Sequence, residues 1–132
     1  MIELIGVTTS KDTQFVDITS EVQRVLDRAK IEEGVVNVFT RHTTTGVVIN
    51  ENESRLLGDF EKILDKLVPR GAGYGHDTID SNAHSHIRSI LLGASESIPV
   101  HEGKLQLGIW QRIFLVELDG PRNRKVVVQV IG

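Results

Sequence analysis

The chain has no cysteine, three prolines, and a single tryptophan and a single tyrosine. Without cysteine there is no disulfide, no thiolate metal site and no cysteine nucleophile. An excess of positive charge is also missing: 15 basic against 18 acidic residues leave a net charge of −3. A nucleic-acid partner held by bulk electrostatics is therefore not expected, because there is no basic excess to displace counterions. No apolar run approaches the roughly 18 residues of a membrane span, so no membrane association is expected. The opening MIELIGVTTSKDTQ lacks a basic stretch leading into an apolar one, so no signal peptide is visible and the cytoplasm is the expected compartment.

What is present fits one domain over residues 1–132, with 39% hydrophobic and 25% charged residues and enough length to bury a core. Ile2–Thr9 and Gln14–Ile18 are rich in β-formers and predict a hairpin closed at Ser10-Lys11-Asp12. Ser20 and Gln23 have capping-box spacing ahead of a helix whose stripe is Val22, Val25, Leu26 and Ala29, with Gly34 as its stop. Val35–Arg41 and Thr44–Asn50 read as strands, and Gly46 marks a bulge or a close backbone approach. Ser54 is the expected N-cap of a second helix carrying Leu56, Leu57, Phe60, Ile63, Leu64 and Leu67, with Asp59 at the edge of the buried face. Ile98-Pro99-Val100 suits an edge, Lys104–Leu118 gives the longest β pattern, and Arg124–Ile131 returns as the last strand. The class is α+β, with seven or eight mostly antiparallel strands and three helices.

The chemistry-bearing residues gather in GHDTIDSNAHSHIRSILLG, from Gly75 to Gly93, which holds three of the five histidines. Imidazoles and carboxylates beside a rigid helix are what metal binding or acid–base work needs. Ala83, Ile87, Ile90 and Leu91 recur at helical spacing, so His84 and His86 lie about 200° apart on a helix and cannot reach one metal from one face. One of the two is the functional residue, and spacing alone does not choose between them. His42 lies in a second polar cluster, Arg41–Gly46, able to meet these histidines in space. Gln111 and Glu117 sit in an apolar row, where a polar group needs a partner or an exit from the core. Arg112, Arg122, Arg124 and Lys125 group near the last hairpin as an anion site or as a solvated edge.

The segments HTTTGVVINEN, GHDTIDSNAHSHIRSILLGAS and IPVHEGKLQLGIWQRIFLVELDGPRNRKVVVQV resemble the YjbQ-like family, also called secondary thiamine-phosphate synthases. The resemblance runs over nearly the whole chain. It implies a compact β-rich fold, of sandwich or barrel-like sheets with the helices outside, and assembly as a homotrimer. Family motifs fall on His42, Thr44, Asn50, Glu51, Asp59, His76, Asp77, Asn82 and His86, then on Gly103, Lys104, Trp110, Gln111, Glu117 and the Asp119–Arg122 turn. That selects His86 over His84, whose position is often acidic in the family.

Three functions follow as expectations. The resemblance implies an enzyme joining an aminopyrimidine diphosphate to a thiazole phosphate with release of pyrophosphate. His42, His76 and His86 would then hold a divalent metal, zinc or magnesium, or the anion itself, with Asp59 and Glu51 orienting them. Lys104 and Arg112 would contact phosphate, with Thr44, Asn50, Asn82 and Gln111 lining the substrate. Alternatively, three imidazoles with one open position suit a zinc hydrolase with Glu117 or Asp59 as general base. The third is a trimeric binding module without catalysis, its histidines holding the interface.

Overall fold

The computed structural model describes residues 1–132 and contains two antiparallel sheets and three α-helices, an α+β fold. The strands are β1 (Ile2–Thr8), β2 (Gln14–Asp17), β3 (Gly34–Thr40), β4 (Thr45–Glu51), β5 (Ser95–His101), β6 (Lys104–Leu105), β7 (Gln111–Glu117) and β8 (Asn123–Ile131). The helices are α1 (Thr19–Ala29), α2 (Ser54–Leu67) and α3 (Ala83–Leu92), with a short 3-10 turn at Gly75–Thr78. Five strands form one sheet in the order β1-β8-β3-β5-β6, and three form the other in the order β2-β7-β4.

The main core lies between the sheets: Val36, Val38, Val126, Val128 and Val130 from the larger sheet meet Val47, Ile113 and Leu115 from the smaller, with Val22, Val25 and Leu26 of α1 joining them. Side chains alternate along β7, so its other face presents Phe114 and Val116, and these pack with Leu118 and Leu64 of α2 in a second cluster. β7 is thus buried on both sides. Each fully buried branched side chain contributes roughly 1.5–3 kcal/mol.

Several local expectations change. The first two strands do not form a hairpin: β1 pairs with β8 and β2 with β7, so Ser10–Thr13 carries the chain from one sheet to the other. The pattern over Lys104–Leu118 is broken into β6 and β7, with a turn closed by Gly108 N–H donating to Gln111 Oε1 at 2.8 Å. Helix α1 has no Ser20 cap; the Asp17 carboxylate accepts from the Thr19 N–H (3.0 Å) and hydroxyl (2.7 Å) instead, and the helix ends at Lys30 in the left-handed region, ahead of Gly34. Glu53 rather than Ser54 caps α2, accepting from the Arg55 and Leu56 amides. Gly46 is a close approach: a Cβ there would stand 2.9 Å from the Leu92 Cβ. Pro99 is accommodated because its carbonyl accepts from the Gln106 N–H at 2.9 Å, while β6 flanks only Val100 and His101.

These details fasten α3 to the start of β4. The Val47 N–H donates to the Gly93 carbonyl at 3.1 Å, and the Ser89 hydroxyl to the Thr45 carbonyl at 2.5 Å. Arg88, buried in α3, donates from Nη2 and Nε to the Val68 carbonyl at 2.8 and 3.1 Å and tethers the end of α2. No helix is long and apolar enough to cross a membrane.

Candidate functional site: a basic, imidazole-lined cleft

The loop between β3 and β4, the start of α3 and the β7–β8 turn enclose a cleft of about 370 Å³ lined by Arg41, His42, Thr43, Thr44, Asn82, His86, Asp119, Arg122 and Arg124. No apolar side chain lines it. Its floor is an ion pair. Glu117, wholly buried, accepts from Arg124 Nε (2.9 Å) and Nη2 (2.5 Å), from the Thr9 hydroxyl (2.8 Å) and from the Leu118 and Asp119 amides (3.1 Å each). Burial pushes this carboxyl up, but Arg124, the Asp119 N–H and Thr9 outweigh it and hold it below the usual range. Arg124 Nη2 also donates to the Thr44 hydroxyl at 2.8 Å, tying the floor to the β3–β4 loop.

On one wall, His42 Nε2 accepts from the Lys125 N–H at 3.1 Å, so the neutral ring carries its proton on Nδ1. Burial lowers its pKa below the ordinary histidine value, and Arg124 and Arg41 add to the shift, so this ring is neutral at pH 7. On the other wall, Asp77 of the 3-10 turn accepts from the Ala83 N–H (3.1 Å), fixing the turn against the start of α3. His76 follows from this: its Nε2 lies 3.0 Å from Asn82 Oδ1, and its ring stands edge-on to His86 with centroids 4.9 Å apart. Asn82 Nδ2 donates to Asp119 Oδ2 (3.0 Å), an acceptor-only group, so the amide oxygen must face His76 and His76 Nε2 carries a proton. Asp119 also receives Arg122 Nη2 at 3.1 Å.

The expected site residues therefore divide. His42, Thr44, Asn82 and His86 line the cleft, His76 adjoins it and Glu117 lies beneath. The others stand elsewhere. Asp59 is exposed on α2 and lines none of the principal clefts. Asn50 borders an apolar groove under α2, and Glu51 and Arg112 border a depression with Trp110 at the far end of β4. Arg112 is engaged with Asp17 at 2.8 Å, and Lys104 and Gln111 are exposed. Of the four basic residues grouped near the last hairpin, Arg122 and Arg124 reach the cleft. Arg41 was not singled out; its place beside His42 was the available signal. His84 is buried in α3 and its Nδ1 has no partner, and His101 pairs with Glu33 at 2.6 Å, away from the cleft.

The expected three-imidazole metal centre is not formed. Nowhere do three His, Asp or Glu side chains group so as to hold an ion. His42 accepts the Lys125 N–H at Nε2 and so carries its proton on Nδ1, which leaves this neutral ring no free lone pair for a metal. The residues do not fit the metal, and no chemistry is routed through one.

A sandwich with a basic, histidine-bearing cleft at one end of its smaller sheet is the class that fold and site define. The sequence model of the UPF0047 protein YjbQ-like family matches residues 3–132, and the chain belongs to that family. It is 53% identical to a UPF0047 protein of Methanothermobacter thermautotrophicus over 94% of this chain and 87% of that one. It is 32% identical to UPF0047 protein YugU of Bacillus subtilis over all of both. Among solved structures, it superposes with a TM-score of 0.97 and 38% identity on a YbjQ-like protein of unknown function from Sulfolobus solfataricus, covering 100% of this chain and 96% of that one. A family protein from Clostridium acetobutylicum gives a TM-score of 0.94 at 42% identity, covering 98% and 99%.

These findings correct the expected function. The family and these relatives are named only as UPF0047 proteins, which gives no support to a thiamine-phosphate synthase. The histidine metal site on which the synthase and the zinc-hydrolase alternative were built is absent from the donor arrangement. Thiamine-phosphate synthase, metal binding and a three-histidine cluster are withdrawn as descriptions of this protein.

Proposed function

We propose that the cleft binds the phosphate group of a small phosphorylated molecule. The observation that carries this is the charge of the lining: Arg41, Arg122 and Arg124 face a space whose one lining carboxylate is Asp119, and Arg41 has no ion pair of its own. With Glu117 counted beneath, three guanidinium groups stand against two carboxylates. Guanidinium forks suit the geometry of phosphate oxygens, and a wall without apolar groups suits an ion that keeps part of its hydration. Neutral His42 offers an Nδ1–H donor, and the Thr43 and Thr44 hydroxyls add two more polar groups. His86, backed by the edge of the His76 ring, is placed to exchange a proton with the group next to the phosphate. Cytoplasm, where phosphorylated small molecules are held, belongs to this reading, and so does the homotrimer implied by the family motifs.

The test is an NMR titration of the whole protein with inorganic phosphate, beside Arg41→Ala and Arg122→Ala. Saturable shifts in the wild type, with affinity at least about tenfold weaker in each variant, are expected for the loss of a charge-assisted contact. Absence of saturable shifts in the wild type would overturn the reading.

A further inference from the structure

The basic cleft adjoins a wider hollow of about 650 Å³ between β3 and α3, and the two share Arg41, His42, Thr43 and His86 as lining. Beyond those four residues the hollow changes character. Phe39, Ile90 and Ala94 present apolar surface there, and no carboxylate borders it. Phe39 stands on the outer face of the larger sheet, because its neighbours Val38 and Thr40 point into the core. Ile90 belongs to the apolar stripe of α3 and is nevertheless 79% exposed. The polar groups among them are spent within the chain. The Thr40 hydroxyl lies 2.7 Å from that of Thr45 and accepts from the His42 N–H at 3.2 Å. The Ser89 hydroxyl gives its hydrogen to the Thr45 carbonyl. The Gly93 and Ala94 carbonyls accept from the Val47 and Thr40 amides at 3.1 and 2.9 Å. What a ligand meets is polar along the shared border and apolar beyond it.

We infer that the phosphorylated molecule is a monoester of an apolar alcohol or phenol. Its phosphate lies among Arg41, Arg122 and Arg124, its ester oxygen at the shared border beside His86, and its organic group in the hollow on Phe39 and Ile90. This rests on the phosphate reading and adds the part of the molecule which that reading leaves open. A sugar or polyol carrying the same phosphate gives up water at each hydroxyl and finds the groups that could replace it already bonded. An amine finds no carboxylate to balance its charge. An apolar group gives up no hydrogen bond, and it takes the exposed faces of Phe39 and Ile90 out of water. The hollow therefore selects by what it cannot bond.

The experiment is an NMR titration of the full chain with three probes: inorganic phosphate, phenyl phosphate and glycerol 2-phosphate. The two esters carry the same charge, so a difference between them reads the organic group alone. The wild type is compared with Phe39→Ala and Ile90→Ser, each checked for folding by circular dichroism. Ile90 is exposed, so Ile90→Ser keeps the fold even where Phe39→Ala does not. Expected is binding of phenyl phosphate at least about tenfold tighter than that of glycerol 2-phosphate, from the apolar surface covered. Its shifts should include Phe39, Ile90 and Ala94, which inorganic phosphate leaves unmoved. Ile90→Ser should narrow the ratio by at least about threefold, through the apolar contact removed, with affinity for inorganic phosphate unchanged. Equal affinity for the two esters, tighter binding of glycerol 2-phosphate, or a ratio unchanged by Ile90→Ser overturns the inference while the phosphate reading stands. If none of the three probes binds, the phosphate reading falls and the inference falls with it.

Discussion

Helices α1 and α2 carry comparable apolar stripes, but the protein treats them differently. Val22, Val25 and Leu26 of α1 are at most 1% exposed, inside the main core between the sheets. On α2 only Leu64 is buried, while Leu56, Ile63 and Leu67 are 42%, 48% and 71% exposed. A groove of about 220 Å³ remains between α2 and the smaller sheet, lined by Phe15, Val48, Leu57, Phe60 and Phe114 among others. The difference lies in what each helix can reach. Helix α1 meets residues of both sheets and closes the gap between them, whereas α2 rests on the outer face of three strands. An amphipathic stripe states that a face is apolar; the partner available decides how much of it leaves water.

The comparison can be broken most severely from the α1 side. Leu26→Ala should cost about 2–5 kcal/mol, the range for a large-to-small change in a closed core, read from the urea midpoint. A cost under about 1 kcal/mol would mean that α1 is no better packed than α2. Acid should sharpen the contrast next, because the two layers hold different titrating groups. In the outer layer, burial depresses His84, and Arg70 and Arg88 reinforce it. His42 is depressed in the same sense. For a depressed histidine, the unfolded chain takes the proton first, so stability is lost as pH falls below the ordinary value of about 6.5 and on through the folded value. Glu117 and Asp17 are the two carboxyls held by buried or half-buried ion pairs. Burial raises both, but their hydrogen bonds outweigh it, chiefly those from Arg124 and from Arg112 respectively. Their contribution is complete above the ordinary carboxylate range and is lost as pH falls through the lowered folded values. Stability against pH should therefore fall in two stages, and His84→Gln should reduce the first alone. A profile flat from pH 7 to pH 5 would refute the first stage. The smallest effect belongs to Leu67→Ala, within about 0.5 kcal/mol as for other exposed positions, measured on the same urea curve; a loss above 2 kcal/mol would show that the end of α2 is covered.

Element types were legible because periodicity is local: the three helices, the β4 pattern and the paired faces of the last strand all appear in the spacing of apolar residues. Pairing was not. Ile2–Thr8 and Gln14–Asp17 look like a hairpin because they are close in sequence, but their partners lie 97 to 127 residues away, toward the other end of the chain. The same limit governs the site. Spacing separated His84 from His86 on the helix, and the structure turns His86 into the cleft and His84 into the interior. No spacing told that His42 lies in the loop before β4 and Glu51 at the far end of that strand, so residues read as one site divide between two. Glu117 shows the opposite case: a carboxylate in an apolar row called for a partner or an exit from the core, and Arg124 supplies the partner across the turn.

One link in the cleft has a direction. Asp119 receives the Asn82 amide N–H, and the amide oxygen receives the His76 N–H. A carboxamide neither gains nor loses protons near neutral pH, so this chain insulates. Asp119 fixes the orientation of the amide and the amide that of the imidazole, while no proton passes between them. The carboxylate therefore acts on His76 only by setting which way its ring points, through an amide that holds its own direction.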